Sequence, residues 1–419
     1  MTILQIGLLG KANVGKSTFF SAATETPVAS GNFPFTTIEP NVGVAYVKAD
    51  CACKHFDIQH ENELCINGTR LIPVKLIDIA GLVPGAHEGK GLGNQFLDDA
   101  RQAEVLIHVV DIAGSTDLQG QPVPVGTHDP LEDVVFVQDE FDQWFADILK
   151  REWDKITRET DQKRAKLTDA IAKRFTGLGI KDYQVHEVLQ KLGLISRNPK
   201  EWKNSDIQTF VKELRKNTKP MIIAANKADL CQDLDIIKKI SDPVILCSAE
   251  TELLLRKASK AGIVNYSSGD EDFKIIEGKE ILPSQQKALD LVKSVFSKIT
   301  STGIQKILNT AVFDSLKFIV VYPVEDETKL TNKDGIILPD TKLLPQNSTA
   351  KDLAGLIHAD IAKGFLHAID CKTKQRISGD QKLKNGDVIK TVAPGTTAEI
   401  PRRQFHSIRS LFSRRWPLQ

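Results

Sequence analysis

An excess of charge of either sign is missing from this chain: 55 Lys plus Arg stand against 54 Asp plus Glu over 419 residues, a formal net charge of +1. No global field therefore draws it to nucleic acid or to an acidic membrane, and any such contact has to be local. Cysteine is scarce as well. Six residues in this length do not make a disulfide framework. No apolar run approaches the ~20 residues of a membrane span, and Met1 to Gln5 leads into the first strand-like run with neither a basic flank nor a cleavage site. These absences make a cytoplasmic protein without membrane contact the expectation. An arrangement of Ser/His/Asp or Cys/His suited to nucleophilic catalysis is also missing.

What is present is enough apolar material for sizeable cores, 41% of residues, with 26% charged. A chain of this length exceeds one ordinary domain of roughly 100–200 residues. Strand-like runs recur at Ile3–Leu9, Leu71–Ile79, Val105–Ile112, Met221–Ala225 and Val244–Cys247, separated mostly by helical or loop segments. That alternation predicts an α/β fold with a doubly wound, mostly parallel sheet, whose ligand sits at the carboxyl ends of the strands.

Directly after the first run, Gly10 to Ser17 read Gly-Lys-Ala-Asn-Val-Gly-Lys-Ser, a complete Gly-x-x-x-x-Gly-Lys-Ser phosphate loop before a helix-forming stretch. Such a loop turns the backbone amides of Asn13, Val14, Gly15, Lys16, Ser17 and Thr18 toward phosphate oxygens, aided by the positive helix end. Lys16 reaches the β and γ phosphates and the Ser17 hydroxyl holds Mg2+. Asp78-Ile79-Ala80-Gly81 closes a later run in the Asp-x-x-Gly form, an Asp that holds magnesium through water and a Gly whose amide meets the γ phosphate. The glycines that follow, Gly85, Gly89, Gly91 and Gly93, suggest a mobile segment.

Asn226-Lys227-Ala228-Asp229 follows the run Met221–Ala225 and has the Asn-Lys-x-Asp form that reads guanine. The Asp229 carboxylate accepts from the N1 hydrogen and exocyclic amine of guanine, donors that adenine lacks there. A site built around such groups discriminates by roughly 10⁴-fold or more. Ser248 and Ala249 complete the base pocket, with the Ala249 amide expected to meet guanine O6.

Between these motifs lies a segment of different character. Apolar residues from Phe141 through Trp153 to Phe175 recur at three- to four-residue steps, as in a long amphipathic helix, with a polar gap over 157–166 that suits an exposed tip of a helical arm. Shorter helices are expected at Asp182–Leu192 and Asp206–Lys216. The division read from the sequence is a nucleotide-binding domain over 1–135 and 218–305, a coiled-coil-like insertion over 136–217, a small β-plus-α domain over 306–395, and a disordered basic tail over 396–419 with five Arg and one Glu. Cys51, Cys53 and Cys65 share a short segment with His55 and His60. Their spacing is not the paired Cys-x-x-Cys of common zinc sites, so a loose hairpin with reduced thiols is expected, and a metal site is the alternative.

Ala12 to Ser17, Asn32 to Thr37 with Pro40-Asn41, and Asp78 to Ala86 through Gly91-Leu92-Gly93-Asn94 resemble the Obg-related translation-factor GTPases. The order of segments resembles their YchF or Obg-like ATPase subfamily. Ser348 to Ala354, His358, Gly364-Phe365 and Asn385 to Ile389 are similar to a TGS domain, a ubiquitin-like β-grasp module. The resemblance implies GTP and GDP as ligands, Mg2+ on Ser17 and on Thr37 as switch threonine, a possible K+ on Asn13, slow hydrolysis with Lys16, Thr37 and Gly81 at the chemistry, and ribosome or RNA contact by a monomer. Two departures are informative. Obg-like ATPases carry Glu where this chain has Asp229, so GTP is expected over ATP. Leu82 stands where Ras-like enzymes have the water-orienting glutamine, a feature shared with the Obg relatives, which keeps a nucleotide-sensing binding module with incidental hydrolysis in view. His87, in the glycine-rich segment, is read as a surface histidine.

Overall fold

The first apolar run forms β1 (Gln5–Leu9), buried along nearly its whole length, as expected for a strand covered on both faces. In the computed structural model, residues 3–24, 42–60, 62–79, 81, 100–162 and 164–394 are described. After β1 come β2 (Val42–Asp50), the short β3 (Cys65–Ile66), β4 (Thr69–Asp78), β5 (Val105–Asp111), β6 (Met221–Asn226) and β7 (Val244–Leu246). They lie in the order β2-β4-β1-β5-β6-β7, with β3 beside β4. The pairs β1–β4, β1–β5, β5–β6 and β6–β7 are all parallel, while β3–β4 is an antiparallel hairpin. Asn67 and Gly68 turn that hairpin, both at positive φ (50° and 73°), as a two-residue hairpin of this twist requires.

The parallel core places Gly10, Asp78, Asp111, Asn226 and Ser248 at neighbouring strand ends. The helix Lys16–Thr24 leaves the end of β1 and packs against the helix Ala249–Lys260, which leaves the end of β7.

The segment between β5 and β6 does not form one long helix with an exposed tip. Its helices are Pro130–Arg151, Trp153–Asp161, Leu167–Arg174, Asp182–Lys191 and Asn204–Thr218. The first starts ahead of residue 136, where Asp129 caps it by accepting the Leu131 amide (3.0 Å) and Pro130 sits at its first turn. The apolar period continues past Glu152, yet the chain breaks there and folds back. Phe145 stacks on Phe175 at 5.5 Å, and Trp202 packs against both Trp153 (5.0 Å) and Phe210 (5.7 Å). These aromatics gain more area by closing a helical core against Leu9, Ile77 and Leu106 of the sheet than by lining a free arm.

After the hairpin β8 (Val264–Asn265) and β9 (Lys274–Ile275), the strands β10 (Phe318–Val324), β11 (Lys342–Pro345), β12 (His367–Asp370), β13 (Gln375–Ile377) and β14 (Asp387–Val392) form a mixed sheet in the order β11-β10-β14-β12-β13. Its central pair β10–β14 is parallel. Thr349 caps the helix Ala350–Ile357 in a reciprocal capping box with Asp352, and Ala350 and Leu353 bury its inner face in one core with Val321 and Ile389. This is the β-grasp expected from the sequence.

The chain divides into two compact units. Ala49–Arg70 joins the chain from Phe318 onward, and the second unit holds Thr2–Lys48 with Leu71–Lys317. The assignment of Ala49–Arg70 to the C-terminal unit was absent from the sequence division, because the partners of that segment lie some 270 positions away, as in the bond from Arg70 Nη2 to the Leu338 carbonyl.

Candidate nucleotide site

The turn after β1 takes its shape from two glycines. Gly10 has φ +145° and a Cβ there would lie 2.4 Å from the Val109 carbonyl oxygen, while Gly15 has φ +94° and a Cβ would lie 2.4 Å from Asn226 Nδ2. A side chain at either position would push the loop off the sheet or off the base-side strand. Asn13, also at positive φ (61°), donates its side-chain amide to the Gly120 carbonyl at 2.8 Å. That bond occupies the side-chain nitrogen.

Lys16 opens the helix. Its ammonium donates to the Lys11 carbonyl at 2.8 Å, and burial lowers its pKa, opposed by the Asp78 charge. The Ser17 hydroxyl donates to Asp78 Oδ2 at 3.0 Å. Burial raises the Asp78 pKa, against the pull of Ser17 and Lys16, and its second oxygen Oδ1 is buried without a partner among the described residues. Gly81 faces the loop, where a Cβ would stand 3.3 Å from Lys16 Nζ and 3.4 Å from the Ala12 amide. Thr18 lies one residue further into the helix.

The base-side residues meet the phosphate loop through Asn226, whose Nδ2 donates to the Val14 carbonyl (2.9 Å) while its Oδ1 accepts the Ala249 amide (3.0 Å). The Ala249 amide expected to be free for guanine O6 is therefore already engaged. An asparagine reaching this far from β6 is the nearest strong acceptor for it. Lys227, at φ 61°, stretches its ammonium to Asp111 Oδ2 (2.9 Å) and Ser115 Oγ (3.0 Å). Asp229 follows in the same turn, half-buried, and its backbone carbonyl accepts from Lys298 at 3.1 Å. Ser248 is fully buried, caps the next helix and donates its amide to the Thr302 carbonyl at 3.0 Å.

Thr37, Leu82, His87, Ala80, the glycines at 85, 89, 91 and 93, and the tail over 396–419 lie outside the described residues. Two residues were missed by sequence reasoning. Asp111, buried at the end of β5, accepts from Lys227, Ser115 (2.7 Å) and Thr116 (2.9 Å). Asp133 binds Lys11 of the phosphate loop at 2.8 Å and His128 at 2.7 Å. Asp111 had a signal, a carboxylate closing a buried parallel strand beside the loop. Asp133 had none, since its partner is more than a hundred residues away.

Comparison with known proteins agrees with this geometry. A family model described as a 50S ribosome-binding GTPase matches residues 5–139. One described as Obg-like GTPase YGR210-like, G4 motif-containing domain, matches 224–326, and the TGS domain model matches 333–393. An uncharacterized GTP-binding protein of Methanocaldococcus jannaschii is 44% identical over 93% of this chain and 98% of its own length. The ribosome-binding ATPase YchF of Bacillus subtilis is 27% identical over 87% of each chain. The crystal structure of a GTP-binding protein from Pyrococcus horikoshii OT3 superimposes with a TM-score of 0.74 at 38% identity, covering 93% of this chain and all of that one.

Proposed function

The chain belongs to the Obg-like, YchF-related GTP-binding proteins, and from that membership we propose that it is a GTP-hydrolysing switch with a low intrinsic rate that acts on the ribosome or an RNA-bound partner. The observation that carries this reading is the bond from Asn226 Nδ2 to the Val14 carbonyl, which joins the base-reading turn to the phosphate loop across neighbouring strand ends. One ligand carrying both a purine and a triphosphate spans those two elements.

Guanine is the base we assign, because the Asp229 carboxylate accepts from two donors that adenine does not present. The relative at 44% identity is named a GTP-binding protein, whereas the one at 27% is named an ATPase.

Magnesium fits the residues present. The buried, unpartnered Asp78 Oδ1 and the Ser17 hydroxyl 3.0 Å from Oδ2 are hard oxygen donors of the kind this ion takes, Asp78 through water. Bound there beside the γ phosphate, Mg2+ supplies charge neutralisation. Thr37 is the further ligand we assign from the family pattern. Lys16, in leaving the Lys11 carbonyl for the β and γ oxygens, regains an anionic partner for its buried charge, and the Gly81 amide faces the same phosphate. The nucleotide-binding set we assign is Asn13, Val14, Gly15, Lys16, Ser17, Thr18, Asn226, Lys227, Asp229, Ser248 and Ala249, with Asn13 Oδ1 the atom for K+.

Leu82 follows Gly81 in place of a glutamine, and an apolar side chain cannot hydrogen-bond the attacking water. Even glutamine-bearing enzymes of this type turn over at only about 10⁻⁴ s⁻¹ unaided, so a partner or K+ accelerates the step. The TGS match and the name of the B. subtilis relative support the ribosome as that partner. We assign a cytoplasmic monomer. Leu82 also favours a second reading, a binding module in which triphosphate occupancy sets partner affinity and hydrolysis is incidental. Calorimetric titration with GTP and ATP tests the base, comparable affinities overturning the assignment. Turnover measured with and without ribosomes, in K+ and in Na+, separates the two readings: stimulation supports the switch, and nucleotide-dependent ribosome binding without turnover supports the module.

A further inference from the structure

The segment Cys51 to Cys65 takes no part in the nucleotide site, and it does not form the loose hairpin expected from its sequence. Cys51 and Cys53 are buried, Cys65 and His60 half-buried, and one ligand atom from each of the four comes within 4.8 Å of every other. Cys51 Sγ lies 3.6 Å from His60 Nε2, and Cys53 Sγ lies 3.9 Å from Cys65 Sγ. A tetrahedral zinc centre with Zn–S of about 2.3 Å and Zn–N of about 2.0–2.1 Å has edges of roughly 3.75 Å between sulfurs and roughly 3.5 Å between sulfur and nitrogen. The observed edges match both. A disulfide needs sulfurs about 2.05 Å apart, and all three cysteines of the cluster are free of one.

The backbone holds the four donors in place. The Cys51 amide donates to the Gly68 carbonyl at 2.9 Å, the Ile58 amide to the Cys53 carbonyl at 3.2 Å, and the Cys65 amide to the Asn62 carbonyl at 2.8 Å. The helix Cys53–Phe56 ends at Asp57 in the left-handed region, which turns the chain back so that His60 returns to the thiols while His55 stays exposed outside them.

The charge next to the cluster is an independent sign. Arg70 is fully buried, its guanidinium lies 5.8 Å from the Tyr322 ring centroid, and Nη2 donates to the Leu338 carbonyl at 2.8 Å. Among the described residues Nε and Nη1 have no hydrogen-bond partner and no carboxylate pairs with this cation. An isolated buried cation is costly. Three thiolates and one imidazole on Zn2+ carry a net charge of −1, the sign Arg70 lacks.

We propose that Cys51, Cys53, His60 and Cys65 bind one zinc ion in a closed, structural Cys₃His site that secures Ala49–Arg70 to the β-grasp sheet. Four protein ligands leave no open position for catalysis. The same segment is tied to that sheet by Asn62 Nδ2 and Arg70 Nη2, which both donate to the Leu338 carbonyl, and by the Tyr322 hydroxyl, which donates to the Asp50 carbonyl at 3.0 Å.

The full chain, purified from zinc-supplemented medium, is expected to carry one zinc per molecule by elemental mass spectrometry. Replacement by Co2+ is expected to give tetrahedral d–d bands with thiolate-to-cobalt charge transfer of three-thiolate intensity, and the release of three protons per ion at neutral pH. Cys53→Ser and Cys65→Ser lose the metal, His55→Ala keeps it, and His60→Cys keeps it with charge transfer raised to the four-thiolate level. Because that last variant retains a full donor set, it reads the site without a folding defect. Fluorescent GTP binding by the same samples is measured in parallel, so a failed zinc site and a failed nucleotide site are told apart. Substoichiometric zinc with no cobalt charge transfer in the unmodified chain, or metal retained by Cys65→Ser, overturns the proposal, as does iron in place of zinc.

Discussion

Asn226 Nδ2 donates to the Val14 carbonyl at 2.9 Å, and the two residues are separated by 212 positions in sequence. This bond stitches the phosphate loop to the base-reading strand, and the Oδ1 of the same side chain holds the Ala249 amide. In the site we propose, one buried amide thus sets the spacing of the elements assigned to the two ends of the nucleotide.

Asn226→Ala removes both bonds and strands a carbonyl and an amide. At about 1–3 kcal/mol for each buried group left unpaired, guanine nucleotide affinity is expected to fall by roughly 10²-fold or more. Stopped-flow binding of a fluorescent GTP analogue checks this. An Asn226→Asp variant keeps the acceptor for Ala249 but loses the donor to Val14, and is expected to fall between the two.

Asp111 acts one step further back. It accepts from Lys227, Ser115 and Thr116, and so fixes the lysine that we place at the wall of the base pocket. Asp111→Asn keeps the shape and the acceptor oxygen while discarding the charge that makes the lysine bond strong. The expected result is about tenfold weaker nucleotide binding with the GTP-to-ATP preference unchanged, read by calorimetry with each nucleotide. A lost preference would mean that Asp111 shapes the base pocket itself.

Much of this site was legible in the sequence because its motifs are local. Gly10 to Ser17 and Asn226 to Asp229 each sit within one turn at the end of one strand, so residue spacing alone carries the geometry. What was illegible depends on distant pairing. Lys11 meets Asp133, and Asn226 occupies the Ala249 amide, neither signalled by a local pattern. The segment from Phe141 to Phe175 kept a helical period through Glu152, where the chain turns, because the period reports which face is apolar and not what it packs on. Cys51 to Cys65 failed for a similar reason: unequal spacing hides donors that a left-handed Asp57 and a hairpin bring together.

The helical insertion rests on a buried ion pair. Arg215 Nε donates to Asp142 Oδ1 at 2.6 Å, both side chains almost inaccessible, linking the helices Pro130–Arg151 and Asn204–Thr218. Removing one partner of such a pair leaves an uncompensated buried charge, a loss of roughly 3–5 kcal/mol. Asp142→Ala is expected to destabilise the chain by that amount in urea, while the double variant Asp142→Leu, Arg215→Met recovers most of it. Equal loss in the single and double variants would show that packing volume, not charge, is at stake.

His108 sits mid-strand in β5, paired in register with Leu9 and Ile223, buried, and with neither ring nitrogen hydrogen-bonded. Burial, assisted by the Lys16 charge, pushes its pKa down to about 3 from an ordinary 6.5. The unfolded chain therefore binds this proton more readily than the folded one, and stability rises with pH between those two values. The contribution is complete above pH 6.5 and declines below it by about 1.4 kcal/mol per pH unit. His108→Leu removes the titrating group together with two unsatisfied polar atoms, so at pH 7.5 its stability is expected to equal or exceed that of the unmodified chain. Urea midpoints at pH 7.5, 5.5 and 4.5 read the difference: the advantage of the leucine variant grows as pH falls, whereas a constant gap would mean that the imidazole finds water or a partner on protonation.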